Sequence, residues 1–116
     1  MKKKVLVTGG AGYVGSATVR HLLSLDYEVF VIDNLLMGSE GVNCFIGYPT
    51  YNFIKGNITD QNLLEEIIKK VDFVVHLAAI VGEGACKKEP DLTRKTNIEG
   101  TKMLIDLCSK NKVQRL

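Results

Sequence analysis

The sequence predicts one α/β domain built on a parallel sheet, with the strand order 3-2-1-4 and helices on both faces. Short continuous apolar runs, typical of strands buried on both faces, alternate with segments in which apolar residues recur at helical spacing. The order along the 116 residues is β-α-β-loop-β-α-β-α, which suits a single domain. Right-handed crossovers favour that strand order and place a ligand between the first and fourth strands.

The first half of the chain contains two predicted strands and a helix. Residues 4–7 and 29–32 are the apolar runs, and the second run ends at Asp33. Between them a helix is indicated by small and apolar residues at i, i+3, i+4 and i+7, namely Gly15, Thr18, Val19 and Leu22. Residues 34–49 contain three glycines and a proline and are predicted to form a long loop.

The second half repeats this alternation. Residues 51–54 are a predicted third strand, and Asp60 is a predicted N-cap for a helix whose apolar side carries Leu63, Leu64, Ile67, Ile68 and Val71. Residues 73–79 form a fourth strand and its terminal turn. A loop through Gly82, Gly84 and Pro90 then leads to a last helix, residues 91–110, and residues 113–116 would enter a fifth strand.

Composition excludes several classes of function. No apolar run approaches the ~20 residues that cross a bilayer, so no membrane partner is expected. The net charge is +2 and the basic residues are scattered, which argues against nucleic acid. The three cysteines lack metal-ligand spacing, so we expect reduced thiols, no metal site and a cytoplasmic protein.

The glycines Gly9, Gly12 and Gly15 directly follow the first strand and open the first helix. In this context the first glycine permits a sharp turn, the second lets the backbone approach a pyrophosphate, and the third lets helix and strand pack closely. The helix N-terminus adds N–H donors and partial positive charge. The pattern therefore predicts a Rossmann-type dinucleotide site; the alternative is a turn whose glycines serve packing alone.

Asp33 ends the second strand 24 positions after Gly9, close to the spacing of a ribose-binding acid. Its carboxylate would accept hydrogen bonds from ribose hydroxyls and repel a 2′-phosphate. No Arg or Lys lies between Asn34 and Gly41 to compensate, so NAD is expected in preference to NADP. The alternative is that Asp33 only forms the loop.

Five motifs in order carry a family resemblance. They are T-G-G-A-G-Y-V-G-S at residues 8–16, D-N-L at 33–35, G-N-I-T-D at 56–60, H-L-A-A at 76–79 and N-I-E-G-T at 97–101. Together they resemble the extended short-chain dehydrogenase/reductase family, the NAD-dependent epimerase/dehydratases of nucleotide sugars. The resemblance covers the whole chain.

The resemblance implies a set of NAD-binding residues. It places Gly9, Gly12, Tyr13, Val14 and Gly15 at the pyrophosphate, Asp33 and Asn34 at the adenosine ribose, and Asn57 and Ile58 at the adenine. Leu77, Ala78 and Ala79 would line the cofactor, and Asn97 would organise the region near the nicotinamide. Asn57 replaces the usual aspartate, but its amide oxygen can still accept a hydrogen bond from the adenine amino group.

Two residues invite a catalytic interpretation that we do not favour. Histidine side chains in general titrate near neutral pH, which would suit catalysis. His76, however, lies in an apolar strand and is expected to be a hydrogen-bonded structural histidine. Cys86 ends the loop at residues 80–86, which is expected to approach the substrate or the nicotinamide. Because the family uses hydride chemistry, Cys86 is not expected to act as a nucleophile.

The family's catalytic residues, a Ser or Thr and a Tyr-x-x-x-Lys pair, follow its fifth strand. Here the only such pair is Tyr51 and Lys55, which a strand would hold ~13 Å apart, so it is interpreted as a decoy. The resemblance therefore implies that residues 1–116 are the NAD-binding N-terminal part of an epimerase or dehydratase, with no catalytic residue of their own. The parent would bind a nucleotide sugar, with a homodimer possible. Alternatives are a non-catalytic NAD-binding module and a dehydrogenase or reductase of a non-sugar substrate.

Overall fold

Four parallel strands form one sheet in the order β3-β2-β1-β4. A computed structural model describes residues 2–81 and 83–116. The strands are β1 (Lys4–Thr8), β2 (Glu28–Asp33), β3 (Tyr51–Lys55) and β4 (Phe73–His76). The interior strand β1 pairs along its whole length with β2 and from Val5 onward with β4. The predicted strand order is confirmed, and the carboxyl ends of all four strands meet at one edge.

Helices connect the strands. They are α1 (Tyr13–Ser24), α2 (Glu40–Asn43), α3 (Gln61–Ile68), α4 (Glu83–Lys88), α5 (Pro90–Arg94), a π-helical segment (Lys95–Gly100) and α6 (Thr101–Lys110). None of them, over residues 2–81 and 83–116, combines the length and apolar character that a membrane span requires.

The sheet has a hydrophobic core on each face because alternate strand residues point in opposite directions. Leu6, Ile32 and Val74 pack with α3 and α6 on one face. Val7 and Val31 pack with α1 on the other. Strands buried on both sides need continuous apolar runs, which is why the sequence pattern identified them. Each fully buried valine or leucine contributes about 1.5–3 kcal/mol.

The structure corrects two predicted loops. The first, residues 34–49, contains the one-turn helix α2, in which Val42 is buried, and Phe45 just after the helix is buried too. Arg20 of α1 lies 5.3 Å above the Phe45 ring. One helical turn is too short to show a period in the sequence, so only this packing revealed it.

The second corrected loop follows β4. It contains α4, and the last helical stretch begins at Pro90 and passes through the π-helical segment before α6. Gly82, which was placed in that loop, lies outside the described residues. The Asp60 N-cap is confirmed, because its side chain accepts a hydrogen bond from Leu63 N–H at 3.2 Å.

The last residues run beside β4. Gln114 N–H donates to Asp72 O at 2.7 Å, and Val74 N–H donates to Arg115 O at 3.0 Å. Phe73 and Arg115 form a parallel bridge. Residues 114 and 115 therefore pair with β4 through a single bridge, at the place where the sequence predicts entry into a fifth strand.

Candidate dinucleotide-binding site

The turn between β1 and α1 needs glycine at two of its predicted positions. Gly9 has φ of +71°, and a Cβ added there would lie 2.8 Å from the backbone N and Cα of Ala78. A Cβ at Gly15 would overlap Gly9 O and lie 2.8 Å from Gly10 Cα. Side chains at either position would separate the turn from its neighbours, which confirms the predicted sharp turn and close packing.

Gly12 differs from these two glycines. Its φ is −76°, a value open to any residue, and a Cβ there would meet only Gly9 O, at 3.4 Å. Folding therefore does not require glycine at this position, and its missing side chain leaves space in front of α1. Gly10 was not singled out from the sequence, yet a Cβ there would lie 2.7 Å from the Val31 side chain. Gly10 is needed because it packs against Val31 of β2, and the spacing of the glycines in the sequence does not indicate this contact.

The N-terminus of α1 is equipped to hold an anion. The first intrahelical bond is donated by Ser16 N–H to Gly12 O at 2.8 Å. The N–H groups of Tyr13, Val14 and Gly15 thus have no intrahelical acceptor. No acidic residue lies in the first turn, and the Tyr13 side chain is 95% exposed. Free donors, the helix dipole and the space beside Gly12 together fit a pyrophosphate.

The Asp33 carboxylate lies directly beside this turn. Its Oδ2 accepts a hydrogen bond from Ala11 N–H at 3.0 Å, and its Oδ1 accepts one from Leu35 N–H at 2.8 Å. Asp33 therefore does form the loop, as the alternative interpretation held. It also presents its carboxylate at the carboxyl edge of β2, where each oxygen retains a lone pair for a further donor.

Asn34 and Asn57 meet at the same edge of the sheet, beyond Asp33. Asn34 Nδ2 donates to Asn57 Oδ1 at 2.8 Å, while Asn34 Oδ1 accepts from Leu36 N–H at 3.0 Å. Both side chains are exposed. The Ile58 side chain is instead 5% exposed and packs beneath Gly100, so Ile58 can offer a ligand only its backbone.

The loop after β4 is held at both ends. At its start, Leu77 N–H and Ala78 N–H donate to Thr8 Oγ1 at 3.0 and 3.1 Å. At its end, Asn97 pairs with the backbone of Ile80: Ile80 N–H donates to Asn97 Oδ1, and Asn97 Nδ2 donates to Ile80 O, both at 2.8 Å. The loop containing Leu77, Ala78 and Ala79 therefore lies against the glycine turn.

His76 uses both ring nitrogens in hydrogen bonds. Nδ1 lies 2.6 Å from Thr8 Oγ1, and Nε2 lies 2.8 Å from Thr101 Oγ1. Burial lowers the pKa of the imidazole, because the charged form loses hydration. This arrangement agrees with the predicted structural role. Thr8 and Thr101, its two partners, were not identified from the sequence, since neither lies near it in the chain.

Comparison with known proteins assigns this chain to a family. Residues 5–116 match the NAD dependent epimerase/dehydratase family. The chain belongs to this family. Its Rossmann-type sheet and the order of its five motifs agree with that membership.

Several relatives within the epimerase/dehydratase family are known. The UDP-glucose 4-epimerase of Haemophilus influenzae is 38% identical over 112 residues, which are 91% of this chain and 33% of that enzyme. The UDP-glucose 4-epimerase of Thermotoga maritima, solved with UDP-glucose, superposes with a TM-score of 0.85 at 35% identity over 96% of this chain and 35% of that one. The dTDP-glucose 4,6-dehydratase of Streptomyces venezuelae, solved with NAD bound, gives 0.86 at 32% identity over 95% and 37%. The chain thus spans about a third of the length of these relatives.

Tyr51 and Lys55 do not reproduce the Tyr-x-x-x-Lys pair of the epimerase/dehydratase family. Both lie on β3, and the Tyr51 hydroxyl is buried with no hydrogen-bond partner among the described residues. Burial, and secondarily the negative charge of Asp33, raise the pKa of Tyr51 to about 12. A phenol with so high a pKa stays protonated near neutral pH and is unsuited to proton transfer there.

Cys86 is half-buried beside the loop after β4. Its thiol lies 3.6 Å from Ile80 O, and it lines an open cavity of about 430 Å³ together with Arg94 and Asn97. Within the described residues no basic side chain is hydrogen-bonded to the thiol. The structure therefore places Cys86 near the predicted nicotinamide end but gives it no activating partner.

Proposed function

We propose that this chain binds NAD and forms the cofactor-binding part of a nucleotide-sugar epimerase or dehydratase. The observation that carries the proposal is the juxtaposition of free N–H donors at the start of α1 with the Asp33 carboxylate, across the open space at Gly12. One end of this arrangement suits a pyrophosphate and the other suits ribose hydroxyls. Membership of the family, and the neighbour solved with NAD, support the same ligand.

The remaining contacts extend along the carboxyl edge of the sheet. The adenine would lie beyond Asp33, near Asn34 and Asn57. The nicotinamide half would lie toward β4, along Leu77 to Ala79 and near Asn97. Asp33 would disfavour the 2′-phosphate of NADP, because both groups are negative and no cation lies in the loop that follows.

The parent's reaction is inferred from the relatives. Bound NAD would supply a reversible hydride acceptor for a sugar hydroxyl. The described residues would bind and orient that cofactor, and the named relatives point to a nucleotide sugar such as UDP-glucose or dTDP-glucose as the substrate. Since the sequence holds no Tyr-x-x-x-Lys pair on a helix, we propose that residues 1–116 alone are inactive, and that any dimer belongs to the parent.

Three alanine variants test the cofactor site. Gly12→Ala adds a methyl group where the fold has room, so we expect wild-type thermal stability with NAD affinity weakened about tenfold or more. Gly15→Ala drives a methyl group into Gly9 O and should lower stability and binding together. Lys70→Ala, at an exposed position before the amino end of β4 and away from the site, is the control and should change neither property.

Calorimetry with NAD and thermal unfolding measure these effects. Wild-type protein that does not bind NAD, or Gly12→Ala protein that binds it unchanged, would contradict the proposal. The inactivity of the chain is tested separately: UDP-glucose or dTDP-glucose incubated with the chain and NAD should remain unchanged when the nucleotide sugars are separated by chromatography. Turnover of a non-sugar alcohol by the full-length parent would favour the alternative, a dehydrogenase or reductase of a non-sugar substrate.

A further inference from the structure

A chain of hydrogen bonds runs from the glycine turn, through β4, to the last helix. It links Thr8, the residue before the turn, to His76 and then to Thr101 of α6. Thr101 Oγ1 donates to Asn97 O at 2.8 Å, and the Asn97 side chain pairs with Ile80. Three segments distant in the chain, namely β1, the end of β4 with its following loop, and the last helical stretch, are thereby connected by hydrogen bonds.

The direction of each bond is determined by its neighbours. Because the Thr101 hydroxyl donates to Asn97 O, its oxygen must accept from His76 Nε2–H. His76 Nδ1 is then an acceptor, and the Thr8 hydroxyl donates to it. The Thr8 oxygen in turn accepts the two N–H groups of the loop after β4. Only a neutral imidazole with its proton on Nε2 satisfies every group.

The loop between these anchors has no room to shift. A Cβ at Gly9 would lie 2.8 Å from Ala78, so the turn and the loop are in backbone contact. Thr8 holds the start of the loop, at Leu77 and Ala78, and Asn97 holds its end, at Ile80. A displacement of either anchor must therefore move the loop against the turn that presents the α1 donors.

We propose that His76 and Thr101 are positioning residues for the dinucleotide site: they fix the loop 77–80 against the glycine turn without themselves contacting the cofactor. This inference rests on the proposed function, because its consequence for binding presupposes that NAD occupies the site. Thr101 is the more informative residue to change, since it lies on α6 and, among the described residues, its hydroxyl bonds only to His76 and Asn97.

The test compares Thr101→Val with two controls. Valine keeps the shape of threonine and removes the hydroxyl, which leaves His76 Nε2–H without its acceptor. The variant also loses the hydrogen bond that Thr101 donates to Asn97 O. We expect NAD affinity to fall about fivefold or more and exchange of the Leu77 and Ala78 amides to accelerate. Thr101→Ser retains the hydroxyl and should restore both. Leu104→Ala, in the core of the same helix, should lower global stability but leave the NAD dissociation constant of the folded protein within about twofold.

Calorimetry and amide hydrogen exchange are the two readouts, with exchange at Leu6 of β1 as the reference for global unfolding. Equal NAD affinity in the valine and serine variants, or loop exchange that only follows Leu6, would overturn the inference. If the wild-type protein does not bind NAD, the proposed function fails. The exchange comparison then still decides whether Thr101 and His76 position the loop.

Discussion

Asp33 performs two tasks with one carboxylate. Its two oxygens hold Ala11 N–H and Leu35 N–H, which orients both the glycine turn and the loop after β2. The same charge faces the proposed ribose. Because both oxygens act as acceptors for protein donors, an amide cannot replace the carboxylate without placing an NH₂ group against an N–H.

Asp33→Asn should therefore weaken NAD binding about tenfold or more and narrow the preference for NAD over NADP. Asp72→Asn is the matched control: among the described residues only Oδ2 of Asp72 accepts a hydrogen bond, from Lys4 N–H at 2.9 Å, so an amide can turn its oxygen toward that donor. Asp72 also precedes β4, at the opposite end of the strand from the site. Calorimetric titration with NAD and NADP measures the change, and an unaltered NAD-to-NADP ratio in Asp33→Asn would contradict the ribose assignment.

Asn57 differs from the aspartate that the family resemblance leads one to expect. Its amide oxygen already accepts from Asn34 Nδ2, so an adenine amino group would have to share that oxygen. The Asn34 side chain cannot easily turn away from Asn57, because the Asn34 amide oxygen accepts a hydrogen bond from Leu36 N–H. The adenine contact is therefore predicted to be present but weak.

Asn57→Asp should strengthen NAD binding about three- to tenfold, because one carboxylate oxygen would accept from Asn34 and the other from the adenine amino group. Nicotinamide hypoxanthine dinucleotide is the control ligand, since its 6-oxo group accepts hydrogen bonds instead of donating them, and it should gain less than NAD. Parallel calorimetric titrations of the two dinucleotides measure the difference. An equal gain for both ligands would place the base elsewhere.

At the scale of elements, β4 is held in the fold by side-chain hydrogen bonds in addition to its backbone pairing with β1. His76, its last residue, contacts Thr8 of β1 and Thr101 of α6 through opposite ring nitrogens. The preceding Val74 packs into the core with α3 and α6. The carboxyl end of β4 is thus held in place by a polar network, and its amino half by apolar packing.

The network gives the fold a pH dependence that is traceable to His76. Burial lowers the pKa of His76 below 6.5, its ordinary value, so between that value and the lowered pKa the unfolded chain binds a proton that the folded chain does not. The free energy of unfolding should consequently fall as pH decreases through this window. An NMR titration of the His76 ring and urea unfolding at pH 5–7 test it; a His76 pKa at or above 6.5 would contradict the argument.

At the scale of the whole molecule, the two edges of the sheet differ. On its outer side β4 is paired, within the described residues, only through the bridge between Phe73 and Arg115. An open groove of about 640 Å³ lies there, lined by Tyr27, Phe73, Val75 and Leu116 among others. Unpaired backbone groups beside apolar side chains are a template for association.

We expect the 116-residue chain to self-associate at high concentration through this edge. Leu116→Lys places a charge in the groove and should shift the sedimentation profile toward monomer. Met37→Lys, at a 91% exposed position in the loop after β2, makes the same kind of change away from the edge and should have no effect. A wild-type chain that stays monomeric, or two lysine variants that behave alike, would count against this edge as the contact.

The strands and helices long enough to show a residue pattern could be predicted from the sequence. Continuous apolar runs identified four strands, and the alternation with helices led to the order 3-2-1-4, because burial on both faces and right-handed connections leave few arrangements. The same reasoning placed Gly9, Gly12, Gly15 and Asp33 at one edge of the sheet. Short elements such as α2 and α4 carried no period and were missed.

The sequence by itself determined the sheet, the glycine turn and the family, because each depends on residue types at fixed spacing along the chain. Only the tertiary structure decided which side chains face one another: Thr8, His76 and Thr101, or Asn34 and Asn57, come from segments more than twenty residues apart. Hydrogen bonds act over about 3 Å and require oriented donors and acceptors, so such partners emerge only when the strands and helices are assembled.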